Sequence, residues 1–132
     1  MKKAIMLGLV AGFFSGIVSL IVKNSGLFEL FSTASYPPII NIQTIAKIEI
    51  TWGIVWGIIF GMLYAFFYDY IPSEGVKKGL IFGLIIWVIV FLRFATVAAA
   101  YGYHLFATPF ALSTFVSLCI TYGFLIGYLY KK

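Results

Sequence analysis

The chain has 132 residues and a formal net charge of +5; it is 63% hydrophobic, 20% aromatic and only 10% charged. A soluble domain carries about 25% charged residues, so this composition excludes one and indicates an integral membrane protein. The basic balance does not indicate nucleic acid, because the lysines fall as doublets at segment ends (Lys2 and Lys3, Lys77 and Lys78, Lys131 and Lys132) rather than on one face among aromatics.

A membrane-spanning helix needs about 20 mostly apolar residues. Four segments meet that need. The first runs over about 4–22 and opens on "KKAIMLGLVAG". It has the basic start of a signal peptide but no small-x-small cleavage site after its apolar run, and its glycines suit a packed helix. An outer loop over 23–45 follows. Pro37 and Pro38 break it, and "GLFELF" (Gly26 to Phe31) reads as a short helix lying on the membrane surface.

The second span covers about 46–68, with Lys47, Glu49 and Thr51 in its outer turn. The third covers about 76–102. Ser73 is placed to cap it after Pro72, with Glu74 beside the positive helix end. The fourth covers about 109–130, entered through Thr108 as cap and Pro109 at the first helical position.

The three lysine doublets lie at the N-terminus, in the second loop and at the C-terminus, while the opposite side has Lys23 and Lys47. The positive-inside rule then puts both termini in the cytoplasm. The expected fold is all-α: one polytopic membrane domain over 1–132, with four transmembrane helices arranged as two parallel helical hairpins. The halves also resemble each other. "KKAIMLGLVAG" matches "KKGLIFGLIIW", and "GMLYAFFYDY" matches "GFLIGYLYKK". With the termini on one side, that is a parallel repeat.

Glycines recur every fourth residue. Gly8, Gly12 and Gly16 mark one face of the first helix; Gly53, Gly57 and Gly61 one face of the second. Gly79 and Gly83 follow in the third, Gly123 and Gly127 in the fourth. In lipid, burying leucine against a helix gains little, so close backbone approach over small residues is what packs helices. Such rows serve either seams inside one chain or a homodimer interface.

Tyr64, Tyr68, Tyr70, Tyr101, Tyr103, Tyr128 and Tyr130 cluster near helix ends, as in an aromatic belt. Trp52 and Trp56 lie four apart on the second helix and Trp87 lies well inside the third; they pack, or they line a lipophilic groove.

Arg93, the sole arginine, sits in "VIVFLRFATVAAA". It is about nine residues from the outer end of its helix, or roughly 13 Å deep at 1.5 Å per residue. Insertion of a central arginine costs about 2.5–3.5 kcal/mol. Glu49 is the acidic residue in the outer half of a helix that can offset it, with Thr96 and Thr51 as further hydrogen-bond partners. Either Arg93 and Glu49 lock two helices, or Arg93 forms an anion or headgroup site in an outward-facing cavity. A third reading buries Arg93 against a partner subunit.

No catalytic constellation, metal-ligand spacing or cofactor motif is present. There is no Ser-His-Asp set, no paired carboxylates at depth and no Cys-x-x-Cys. Cys119 is a small buried side chain. His104 is a loop residue without the second axial ligand that a b-type haem wants. The acid that a proton-coupled small multidrug exporter needs in its first helix is absent.

The stretches "GLVAGFFSGIV", "WGIIFGMLYAFFYDY", "KKGLIFGLIIWVIVF" and "TYGFLIGYLY" resemble the small four-helix YqhR-like membrane proteins of Gram-positive bacteria and, more weakly, the YagU-like family. The resemblance implies four helices and cytoplasmic termini. It implies no activity and no site residues.

The sequence therefore leads to a non-enzymatic, multi-pass cell-membrane protein with no cofactor, acting as an accessory or structural subunit of a membrane complex. Its partners would be membrane lipids and other membrane subunits or a second copy. The alternative is a transporter of a small solute, anion or lipid, with Arg93, Glu49, Trp52 and Trp87 along its path.

Overall fold

The computed structural model describes residues 1–24, 42–101 and 107–131. The expected surface helix at 26–31, the Pro37-Pro38 break and His104 lie outside these residues. Every regular element among them is helical: α1 (Lys2–Asn24), α2 (Ile42–Phe67), α3 (Gly75–Tyr101), α4 (Ala107–Thr114), a π-helical stretch (Phe115–Tyr122) and α5 (Gly123–Leu129). Together α4, the π stretch and α5 make one fourth span. Four helical segments are long and apolar enough to cross a membrane: Lys2–Val22, Ala46–Phe67, Gly75–Thr96 and Ala111–Leu129, of 21, 22, 22 and 19 residues. At 1.5 Å per residue each matches a hydrocarbon core of about 30 Å.

The chain forms two hairpins. α1 packs along α2; α3 packs along α5 and the π stretch. Glycine makes the first seam possible. A Cβ added at Gly57 would stand 2.6 Å from Gly12 Cα, and one at Gly8 would stand 3.0 Å from Gly61 Cα. In the second hairpin a Cβ at Gly79 would stand 2.5 Å from Gly127 Cα, and one at Gly83 would stand 3.0 Å from Cys119 Cα. No side chain fits at such spacing, so the backbones themselves are the contact surface. All of these glycines meet partners within the same chain.

The hairpins join mainly through α1 against the π stretch. Ser15 Oγ donates to the Ser117 carbonyl at 2.8 Å. The backbones of α2 and α3 stand apart, and aromatic rings bridge them. Tyr64 packs on Phe82 at 5.1 Å between centroids and on Tyr130 at 5.5 Å. Phe60 meets Tyr122 edge-on at 6.1 Å. These rings form the core with Ile71, Ile86 and Ile126.

Four details differ from the sequence reading. Tyr64 is 0% exposed and central to the core, not a belt residue, because its ring fills the gap the separated α2 and α3 leave. Ser73 has φ 89°, a left-handed conformation unlike that of a helix cap, and α3 starts at Gly75. α2 begins at Ile42, ahead of the expected boundary. α4 starts at Ala107, which leaves Pro109 still in the first turn, where its missing N–H costs no helical bond.

Lysines of all three doublets (Lys3, Lys78 and Lys131) gather at one end of the bundle. Lys3 Nζ donates to the Lys131 carbonyl at 2.6 Å. Lys78 is only 9% exposed; its Nζ donates to the Tyr68 carbonyl at 2.8 Å and lies 4.0 Å from the centroid of that ring. A lysine stem laid along aromatic surface with its charge satisfied at the tip fits a helix end.

Candidate functional site: a lateral groove between α2 and α3

Because the backbones of α2 and α3 do not meet, a groove of about 440 Å³ opens between them. That volume lies within the range of small-molecule sites, about 300–1,000 Å³. α1 supplies the floor through Gly12, Ser15, Gly16 and Ser19. α2 supplies one wall with Glu49, Trp52, Trp56 and Phe60. α3 supplies the other with Val90, Arg93 and Phe94. The fourth span contributes Thr114, Ser117, Leu118 and Tyr122.

Helical periodicity builds the aromatic wall. Trp52, Trp56 and Phe60 are each four residues apart, so they share a face of α2. Their rings stack in series, Trp52 on Trp56 at 6.4 Å and Trp56 on Phe60 at 5.5 Å. Phe60 then meets Tyr122, whose hydroxyl donates to the Gly57 carbonyl at 2.9 Å. This contact closes the groove toward the lysine end, with the Tyr64 core beneath it. From Glu49 to Phe60 the wall extends about 16 Å at 1.5 Å per residue, about half the thickness of a hydrocarbon core.

The charged groups lie at the end away from the lysine doublets. Ser19 Oγ donates to Glu49 Oε2 at 3.0 Å. Arg93 lines the same groove and its side chain is exposed. Among the described residues no ion pair links Arg93 to Glu49, and the guanidinium has no hydrogen-bond partner. The expected direct lock is therefore not formed. Each group faces the groove from a different wall.

Of the residues singled out from sequence, Arg93, Glu49 and Trp52 come together here. Thr96 and Trp87 do not. Thr96 Oγ1 donates to the Leu92 carbonyl one turn back, at 2.8 Å. Trp87 Nε1 donates to the Ala111 carbonyl at 3.0 Å and to Thr114 Oγ1 at 3.1 Å, and its ring stacks on Phe91 at 5.5 Å. Trp87 thus ties α3 to α4.

Sequence reasoning missed Ser15, Ser19, Ser117 and Tyr122. The first two had a signal: they are hydroxyls four apart, beside the glycine face of α1, where a polar group must point into the bundle. Ser117 and Tyr122 had none, because the π stretch sets their positions. Thr121 Oγ1 donates to the Val116 carbonyl five residues back at 3.0 Å, and the Gly123 N–H reaches the Leu118 carbonyl, also five back. Hydroxyls that capture ladder carbonyls loosen an α-helix, and π turns gather at functional sites.

Among the described residues no cluster of His, Cys, Asp and Glu could hold a metal ion. Comparison with known proteins finds no matching family model, curated protein or solved structure.

Proposed function

We propose that the chain is a non-enzymatic integral membrane protein that admits an amphipathic lipid from one leaflet, sideways, into the groove between α2 and α3. The groove carries this reading. It opens between two helices, is walled by stacked aromatics, reaches about one leaflet deep, and keeps its charges at one end. The lysine doublets support an orientation with both termini in the cytoplasm, which sets the charged end in the outer leaflet. The closed lower end supports binding, extraction or presentation of a lipid rather than conduction through a pore. The resemblance to YqhR-like proteins belongs to the same proposal and adds no residue to it.

The other reading, an accessory subunit, draws less support from the packing. The glycine rows that could have docked a partner helix are used inside the chain. A partner would have to dock on other surfaces.

Native mass spectrometry of the protein released from lipid nanodiscs tests the proposal. The expected spectrum shows one lipid held per chain after loosely bound lipid is stripped. Leu118→Trp, which fills the groove, should lose it. Equal retention by Leu118→Trp, or no retained lipid in either protein, would refute the reading. A larger assembly with defined other chains would instead support the subunit.

A further inference from the structure

From the charge layout of the groove, and resting on the lipid-binding reading above, we infer that the ligand is an amphiphile with an oxyanion head, a carboxylate or a phosphate, held by Arg93, with its chain along Trp52, Trp56 and Phe60. The two charged side chains of the groove are not equivalent. Glu49 Oε2 already accepts from Ser19 Oγ at 3.0 Å. Arg93, on the opposite wall, is exposed to the groove and has no hydrogen-bond or ion-pair partner among the described residues. A guanidinium offers paired N–H donors in a planar fork that matches carboxylate and phosphate oxygens. An arginine within a membrane span is costly until an anion or water meets it. An anionic head entering from the bilayer surface supplies that partner, which a head without an oxyanion cannot.

The geometry orients the molecule. Arg93 and Glu49 mark the charged end; the Phe60–Tyr122 contact marks the end nearer the lysine doublets. Between them the walls offer rings and aliphatic groups, with Val90 and Leu118 facing the same space. A chain entering tail first meets rings, aliphatic groups and the small hydroxyls of Ser15, Thr114 and Ser117, but no charge, until its head reaches Arg93. Glu49 beside the head adds selectivity, since it repels a head of higher negative charge more than a monoanion.

Tryptophan fluorescence reads this directly, because two of the three tryptophans, Trp52 and Trp56, line the groove. The full chain is placed in phosphatidylcholine nanodiscs and titrated with dibrominated stearate, brominated lysophosphatidic acid and a brominated monoacylglycerol, whose head has no oxyanion. The two anionic probes are expected to quench saturably at low mole fraction, and the uncharged one only in proportion to its amount. In Arg93→Gln the affinity for the anionic probes should fall about tenfold or more, as for loss of a charged hydrogen-bond pair, while Arg93→Lys keeps part of it. Head selectivity in the unmodified protein stands as evidence even if Arg93→Gln does not fold. Inorganic phosphate that displaces the brominated chains in an Arg93-dependent way would assign the oxyanion to a soluble source and overturn the lipid part. Saturable quenching that ignores head charge and Arg93→Gln would overturn the inference and leave the lipid-binding groove standing. No saturable quenching by any probe would overturn both.

Discussion

The two hairpins use the same device and finish differently. In α1–α2 the glycines of both helices interlock over three successive turns, Gly8 and Gly61, Gly12 and Gly57, Gly16 and Gly53. In the second hairpin Gly79 meets Gly123 and Gly127, but Gly83 lies on Leu118 and Cys119, inside the π stretch. The first seam is regular to its far end. The second gives up its regularity where the fourth span passes beneath the groove. Close glycine packing therefore builds a stiff wall, and the irregular partner supplies hydroxyls and Tyr122 to a site beside it.

The largest effect that would break this contrast is at the stiff seam. Gly57→Ala places a methyl 2.6 Å from Gly12 Cα, with backbone on the facing helix that has no flexible end to yield. It should destabilise by about 3 kcal/mol, the upper part of the range for overpacking. Reversible unfolding in mixed detergent micelles measures it. Gly123→Ala, whose added methyl meets the Gly79 carbonyl oxygen at 2.8 Å and Leu80 Cα at 3.2 Å, should cost less. Equal costs would mean that the two seams are alike.

Next comes the link between the hairpins. Tyr122→Phe removes the 2.9 Å bond to the Gly57 carbonyl and leaves that acceptor buried. A loss of about 1–2 kcal/mol is expected, with faster hydrogen exchange in the middle of α2. Trp87→Phe keeps the ring stacked on Phe91 but loses both N–H bonds to α4. It should cost about 1 kcal/mol and leave lipid retention unchanged, since Trp87 is outside the groove. A loss of lipid in Trp87→Phe would mean that its bond to Thr114 positions that lining residue.

The smallest effect is at Ser15. Ser15→Ala deletes the 2.8 Å bond to the Ser117 carbonyl. Hydrogen bonds between membrane helices average about 0.6 kcal/mol, so stability should move by about that much. If the bond also helps hold the π stretch open, then Ser15→Ala narrows the groove, and lipid retention should fall more than stability does.

The four spans were legible because length and hydropathy alone define them. The glycine rows were legible too, because a spacing of four puts residues on one helix face. Which row meets which was not, since that depends on how helices pair in space. Tyr64 shows the limit of reading aromatics by position: it lies near the end of α2, as belt residues do, yet the gap between α2 and α3 draws it inward. Arg93, Glu49 and Trp52 were found because charge and tryptophan stand out in an apolar chain. Their arrangement was not, because a facing pair and a salt bridge look the same in sequence. The π stretch was invisible, since "FVSLCITY" has ordinary helical composition and the change lies in which carbonyl each N–H selects.

The contact of Lys3 with Lys131 brings head and tail of the described chain together at the same end as the α2–α3 turn. Each hairpin therefore starts and finishes at one surface, and nothing in the packing requires the α1–α2 hairpin to be made first. A circular permutant, with a short bridge between the present ends and an opening in the turn at Ser73, keeps every seam and the groove between them. Among the described contacts, the packing does not fix the order of the two hairpins along the chain.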